Sequence, residues 1–182
     1  GEIISLDINI SKGISYSNWF KDDWRYKDNY SIAYTVLSHA ISIYCYLTRS
    51  DLNEAIETNI YFNKENESFD TAIAVSTKTK PIFKAITSWG SPFVDDKINI
   101  LTTNSLLSLK GDLLTVKSPR DTFNNLGLYT TPEIIISENI TTQGIKPSLV
   151  NFYEACENSK SYDQILFRRN LSIGRLCILA KL

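Results

Sequence analysis

The chain has 182 residues, 43% hydrophobic and 21% charged, enough for one globular domain with a buried core, and this composition excludes a disordered or fibrous protein. Nineteen Lys and Arg against twenty Asp and Glu leave a net charge of −1, so no global positive field draws the protein onto a phosphate backbone and any nucleic-acid surface must be a local patch. No apolar run reaches the roughly 18–20 residues that span a bilayer, and the first twenty residues lack the basic start and apolar middle of a signal peptide.

An intracellular setting, cytoplasmic or nuclear and away from membranes, is the expectation. Cys45, Cys156 and Cys177 are odd in number and match no zinc or disulfide spacing, which predicts reduced and mostly buried thiols. The chain contains no methionine and opens Gly1-Glu2, which is read as a single domain, 1–182, excised from a larger protein whose other domains or subunits are its partners.

Residues 1–28 read as an arm. Ile3, Ile4, Leu6, Ile8 and Ile10 make a short strand or extended segment, and after Gly13 comes an aromatic and charged stretch with Trp19, Phe20, Trp24 and Tyr26. Residues 29–57 read as helical: Ile32, Val36, Leu37, Ala40, Ile41 and Tyr44 recur at helical spacing, with Asp28 or Asn29 as cap and a further turn near 51–57.

Residues 58–137 read as sheet-rich. Runs at 58–63, 71–75 and 81–87 predict an antiparallel meander, and Trp89-Gly90-Ser91-Pro92 is the strongest internal loop signal. A strand at 97–101, a hairpin of 106–109 with 113–117 around Lys110-Gly111-Asp112, a short helix from Ser118 to about Tyr129 and a strand at 133–137 follow. Two helices, from Pro147 to Cys156 and from Tyr162 onward, make residues 147–182 a helical C-terminus. The fold class is therefore α+β, a mixed sheet flanked by helices.

The stretch from Asp96-Lys97-Ile98-Asn99 to Leu114-Thr115-Val116-Lys117-Ser118-Pro119, continued to Ser137, resembles the restriction-endonuclease-like superfamily. In that pattern adjacent strands offer two carboxylates to a divalent metal, and a lysine two residues along the second strand faces the same water. Here Asn99 and Thr115 stand at the carboxylate positions and only Lys117 is kept. The resemblance thus implies a degenerate nuclease-like core, without catalysis and without a cofactor, that binds or scaffolds within a larger nucleic-acid-processing assembly.

The binding residues on that reading are Lys117, Arg120 and Lys110, with Trp19, Trp24 and Tyr26 as stacking or partner contacts. Two enzymatic alternatives stand beside it. Asp95, Asp96 or Asp112 rebuilds a metal site for an active nuclease, in which Lys117 is catalytic. Otherwise His39, the only histidine, activates Cys156 in a cysteine hydrolase.

Overall fold

The computed structural model describes residues 1–14, 17–49, 56–65, 67–76, 81–117, 125–128 and 134–139, with backbone alone at Asn18 and Trp19. Eight strands form one sheet: β1 (Ile3–Ser11), β2 (Glu57–Asn63), β3 (Ser68–Ser76), β4 (Ile82–Ser88), β5 (Lys97–Thr102), β6 (Leu106–Lys110), β7 (Leu113–Lys117) and β8 (Ile134–Asn139). Their order across the sheet is β2-β3-β4-β1-β5-β6-β7-β8. Every neighbouring pair is antiparallel except β1 with β4.

The segment expected as a short strand or arm is thus the strand between two meanders. Ser5 pairs with Ile82 on one side and with Leu101 on the other. The expected meander of β2, β3 and β4 is present, as is the β6–β7 hairpin, whose Gly111 has φ +54 at the first turn position, where a two-residue hairpin turn favours glycine.

The alternation of residues along the strands separates the two faces. In β1 Leu6 and Ile8 are buried, whereas Asp7 is exposed. Following the pairing from strand to strand, Phe83, Leu6, Ile100, Leu107 and Val116 share one face. Lys84, Asp7, Asn99, Ser108, Thr115 and Ser137 run in a polar row across the other.

A helical layer covers the first of these faces over β1, β3 and β4. It contains a 3-10 turn (Asn18–Asp22), α1 (Trp24–Lys27), a π turn (Ala33–Leu37) and α2 (Ser38–Thr48). Ile32, Ala33, Val36, Leu37, Ala40, Ile41, Tyr44 and Cys45 form its buried stripe, the helical spacing expected from the sequence. Asp28 Oδ1 accepts from Tyr30 N at 2.8 Å ahead of the helix, and Arg49 closes it in the left-handed region at φ 55.

That stripe meets Leu6, Ile8, Ile60, Ala72, Ala74, Phe83 and Ala85, so the core lies between the helices and the β2-β3-β4-β1 half of the sheet. Tyr44 stacks on Phe83 with ring centroids 4.5 Å apart, and Phe20 meets Trp89 edge-on at 5.2 Å. Phe20, from the aromatic and charged stretch after Gly13, is therefore a core side chain. Strands β5 to β7 are only partly buried and β8 is exposed.

Some sequence expectations are corrected or fall elsewhere. Within the helix expected to run from Ser118 to about Tyr129, residues 125–127 form a turn and bend and residue 128 is irregular. The helical C-terminus at 147–182 lies outside the described residues. The nuclease-like core is not what β5, β6 and β7 build, because β6 separates the strands of Asn99 and Thr115 and all three are antiparallel neighbours. No helix among the described residues is long and apolar enough to cross a membrane.

Candidate functional site

A hollow of about 480 Å³ opens where the helical layer ends over β1 and the β5–β6 surface emerges. Ile10, Ile98 and Leu109 give it an apolar floor from three adjacent strands. Thr35, Val36 and His39 line it from the helix, Lys12 and Ile14 from the loop after β1, and Asp96 and Lys97 from the entry to β5. Arg25, Trp89 and Gly111 complete the lining. Apolar walls with a few convergent polar groups are the usual make-up of a small-molecule site.

The helix wall has a local irregularity that sets these side chains. A π turn inserts an extra residue into a helix and recurs at functional sites, and here Thr35 and Val36 lie on it while His39 follows immediately after. The Thr35 hydroxyl donates back to Ser31 O at 2.6 Å, which fixes its rotamer. The His39 side chain is exposed to the hollow and makes no hydrogen bond among the described residues.

The charges around the hollow are arranged in pairs. Arg25 is held by Asp23 through two hydrogen bonds of 2.7 Å, from Nε to Oδ1 and from a terminal nitrogen to Oδ2. That side-chain hydrogen bonding, together with the bond from Arg25 N, brings the Asp23 carboxyl down to about 2. Lys12 Nζ lies 3.6 Å from Asp96 Oδ2. The other oxygen, Asp96 Oδ1, is buried with no hydrogen-bond partner.

A smaller hollow of about 230 Å³ lies on the opposite sheet face, lined by Asp7, Asn9, Lys84, Ile86, Asp95, Lys97 and Asn99. There Asn9 Nδ2 donates to Asp95 Oδ2 at 3.4 Å and Lys110 Nζ is 3.8 Å from Asp95 Oδ1. Asp95 and Asp96 therefore line different hollows, and Asp112 sits in the exposed β6–β7 turn. Among the described residues no group of three His, Cys, Asp or Glu side chains could hold a metal ion.

The sequence-derived binding residues are scattered rather than gathered. Lys110 and Lys117 stand at opposite ends of the hairpin, Lys117 opposite Leu106 and Ile134 and Lys110 opposite Leu113. Trp24 is exposed and Tyr26 packs edge-on to Phe20 on the helical side. Arg120 and Cys156 lie outside the described residues, as does the side chain of Trp19.

His39 and Asp96 are brought together around one hollow. Lys12, Arg25, Thr35 and Trp89 join them there without having been singled out for chemistry. The signals near them were the Trp89-Gly90-Ser91-Pro92 loop and Gly13 beside Lys12: a Cβ at Gly13 would lie 2.9 Å from Ser91 O, so this glycine lets the two loops at the hollow meet.

Comparison with known proteins decides what the fold is. A UDP-N-acetylglucosamine 3-dehydrogenase from Acidithiobacillus ferrooxidans matches 99% of this chain with a TM-score of 0.69 at 12% identity, over 54% of its own length. A 3-ketoreductase from Actinomadura kijaniata, solved in complex with NADP and TDP-benzene, matches 100% of this chain with a TM-score of 0.71 at 11% identity, over 55% of its length.

This chain shares its fold with little more than half of each of these proteins. A levoglucosan dehydrogenase in complex with NADH and levoglucosan likewise matches 98% of this chain and 57% of its own, at 12% identity and a TM-score of 0.63. The chain spans little more than half the length of each. No protein-family model and no curated protein sequence matches the chain.

This finding corrects the resemblance to restriction endonucleases, and with it the reading as a non-catalytic nuclease-like module in nucleic-acid processing. The short strand-hairpin-strand pattern was genuine, but eight strands in this order place it in a different fold. The expectation of no cofactor is corrected on the same ground, since structures of this fold were solved with NADP or NADH.

Proposed function

We propose that the chain is the substrate-side half of an NAD(P)-dependent oxidoreductase acting on a hydroxyl-bearing or keto carbon of a sugar-like substrate. The observation that carries this reading is the match of 98–100% of the chain to one half of sugar-directed dehydrogenases and ketoreductases. The 480 Å³ hollow with its histidine, paired charges and apolar floor supports it.

The described residues do not fit the dinucleotide itself. None of the seven glycines falls into a G-x-G-x-x-G spacing, and the one parallel strand pair of the described residues, β1 with β4, carries no glycine-rich turn into a helix. A complementary nucleotide-binding unit is therefore the partner on this reading, and the nicotinamide it holds would give or take the hydride.

This chain's own part is to hold the substrate and move a proton. The apolar floor of Ile10, Ile98 and Leu109 excludes water beneath the ligand. The His39 imidazole is placed to take a proton from a substrate hydroxyl, or return one to a carbonyl oxygen, chemistry that an imidazole performs near neutral pH.

The test is titration of the isotope-labelled chain with D-glucose, levoglucosan and UDP-N-acetylglucosamine, read by amide chemical shifts. Movement concentrated at Lys12, Thr35, His39, Trp89 and Asp96 is the expected result. A panel that moves none of these resonances overturns the reading.

A further inference from the structure

We infer that Asp96 and Lys12 together select the ligand of this hollow by a pair of neighbouring hydroxyl groups, an inference that rests on the oxidoreductase reading above. Asp96 Oδ1 is buried and has no hydrogen-bond partner. An unpaired buried acceptor is costly, more so when it carries charge. The ammonium of Lys12 does not relieve it: Nζ faces the other oxygen at 3.6 Å, longer than a hydrogen bond, and both side chains are nearly half exposed, so the pair itself is weak.

The backbone nevertheless holds both groups in place. Gly111 N donates to Asp96 O at 3.0 Å and Asp95 N donates to Ser11 O at 3.1 Å, which ties the entry of β5 to the hairpin turn and to the end of β1. Lys12 N donates to Ser88 O at 2.8 Å on the other side. A carboxylate and an ammonium are thereby kept side by side at the edge of the hollow while their mutual contact stays loose.

Two adjacent hydroxyls answer this arrangement. One donates to the Asp96 carboxylate on the side that faces Lys12. The other accepts from the Lys12 ammonium. Arg25 does not compete for Asp96, because its guanidinium is already engaged by Asp23. A carboxylate or phosphate at the same position would meet the like charge of Asp96, so the pair favours a neutral diol. A site built to bond a hydroxyl rejects the analogue lacking it, since its own polar groups are left unpaired.

The experiment compares the affinity of the full chain for D-glucose and for its 2-, 3- and 4-deoxy analogues in the wild type, Asp96→Asn and Lys12→Gln, with melting temperature as a fold control. At least one deoxy analogue is expected to bind the wild type about 10-fold or more weaker than glucose, as for a hydrogen bond to a charged group, and this gap should close in Asp96→Asn and narrow in Lys12→Gln. A gap that persists in a folded Asp96→Asn overturns the inference while leaving the oxidoreductase reading intact. Should Asp96→Asn melt early, Lys12→Gln decides: an unchanged gap there overturns it. If no sugar of the wider panel moves a resonance at the hollow in the wild type, both the inference and the reading beneath it fail.

Discussion

Gly90 lies against the carboxyl group of Asp70, so closely that a Cβ built on it would stand 2.7 Å from Asp70 Cγ. Asp70 is 2% exposed and cannot simply swing away. Asn63 Nδ2 donates to its Oδ2 at 2.8 Å and the Thr71 hydroxyl to its Oδ1 at 3.0 Å. Its own carbonyl receives Trp89 N at 2.7 Å, which anchors the loop that follows β4. Gly90→Ala is therefore expected to destabilise the chain by about 1–3 kcal/mol, as overpacking of a fixed site does. Chemical denaturation checks this, and an unaltered midpoint would show that Asp70 has room to move.

The second prediction concerns the core. Phe83 is fully buried and stacked on Tyr44, so Phe83→Ala should cost about 3–5 kcal/mol. Its chain neighbour Ile82 points to the other face and is 47% exposed. Ile82→Ala should change stability by about 0.5 kcal/mol or less. Equal losses in the two denaturation curves would contradict the assignment of the sheet faces.

His39 is the group assigned to proton movement. In the enzyme assembled with its nucleotide-binding unit, His39→Ala should lower turnover by about 10²–10⁴, the range for loss of a general acid or base. The melting temperature should stay close to that of the wild type, because the side chain is exposed and makes no hydrogen bond among the described residues. Unchanged turnover would remove His39 from the chemistry.

The pairing of Asp23 with Arg25 carries a pH signature. The folded carboxyl is lowered to about 2 from an ordinary 3.8, so the charged form is favoured by folding. Its contribution is complete above the ordinary value and is lost as pH falls through about 2. Wild type and Asp23→Asn should thus differ in melting temperature near neutral pH, with wild type the higher, and converge near pH 2. A difference that persists at the acid end would point to backbone capping rather than charge.

Much of the fold was legible because local patterns carry it. The helical stripe from Ile32 to Tyr44, the β2–β4 meander and the Lys110-Gly111-Asp112 turn all announce themselves within a few residues. The place of β1 did not, since an Ile-rich strand looks alike at an edge and at the centre, and its partners near Ile82 and Leu101 lie far along the chain. The site was less legible still. Lys12, Arg25, His39, Trp89 and Asp96 come from separate segments and meet only through the sheet, so no spacing in the sequence connects them. His39 and Asp96 drew attention as chemistry-bearing residue types, each with partners other than the residues that line the hollow with them.

The parallel seating of β1 also governs how the protein assembles. The strands β2, β3 and β4 can fold back on one another as soon as each is made, and so can β5, β6 and β7, since each antiparallel step spans a short connection. These two packets share no backbone pairing except through β1, which must wait for both Ile82 and Leu101 before its own hydrogen bonds are met. Strand β1 is thus a latch that closes after the strands on either side of it. A nascent chain carries that Ile-rich segment unpaired until β4 and β5 have been made, which makes β1 the stretch on which folding and aggregation compete.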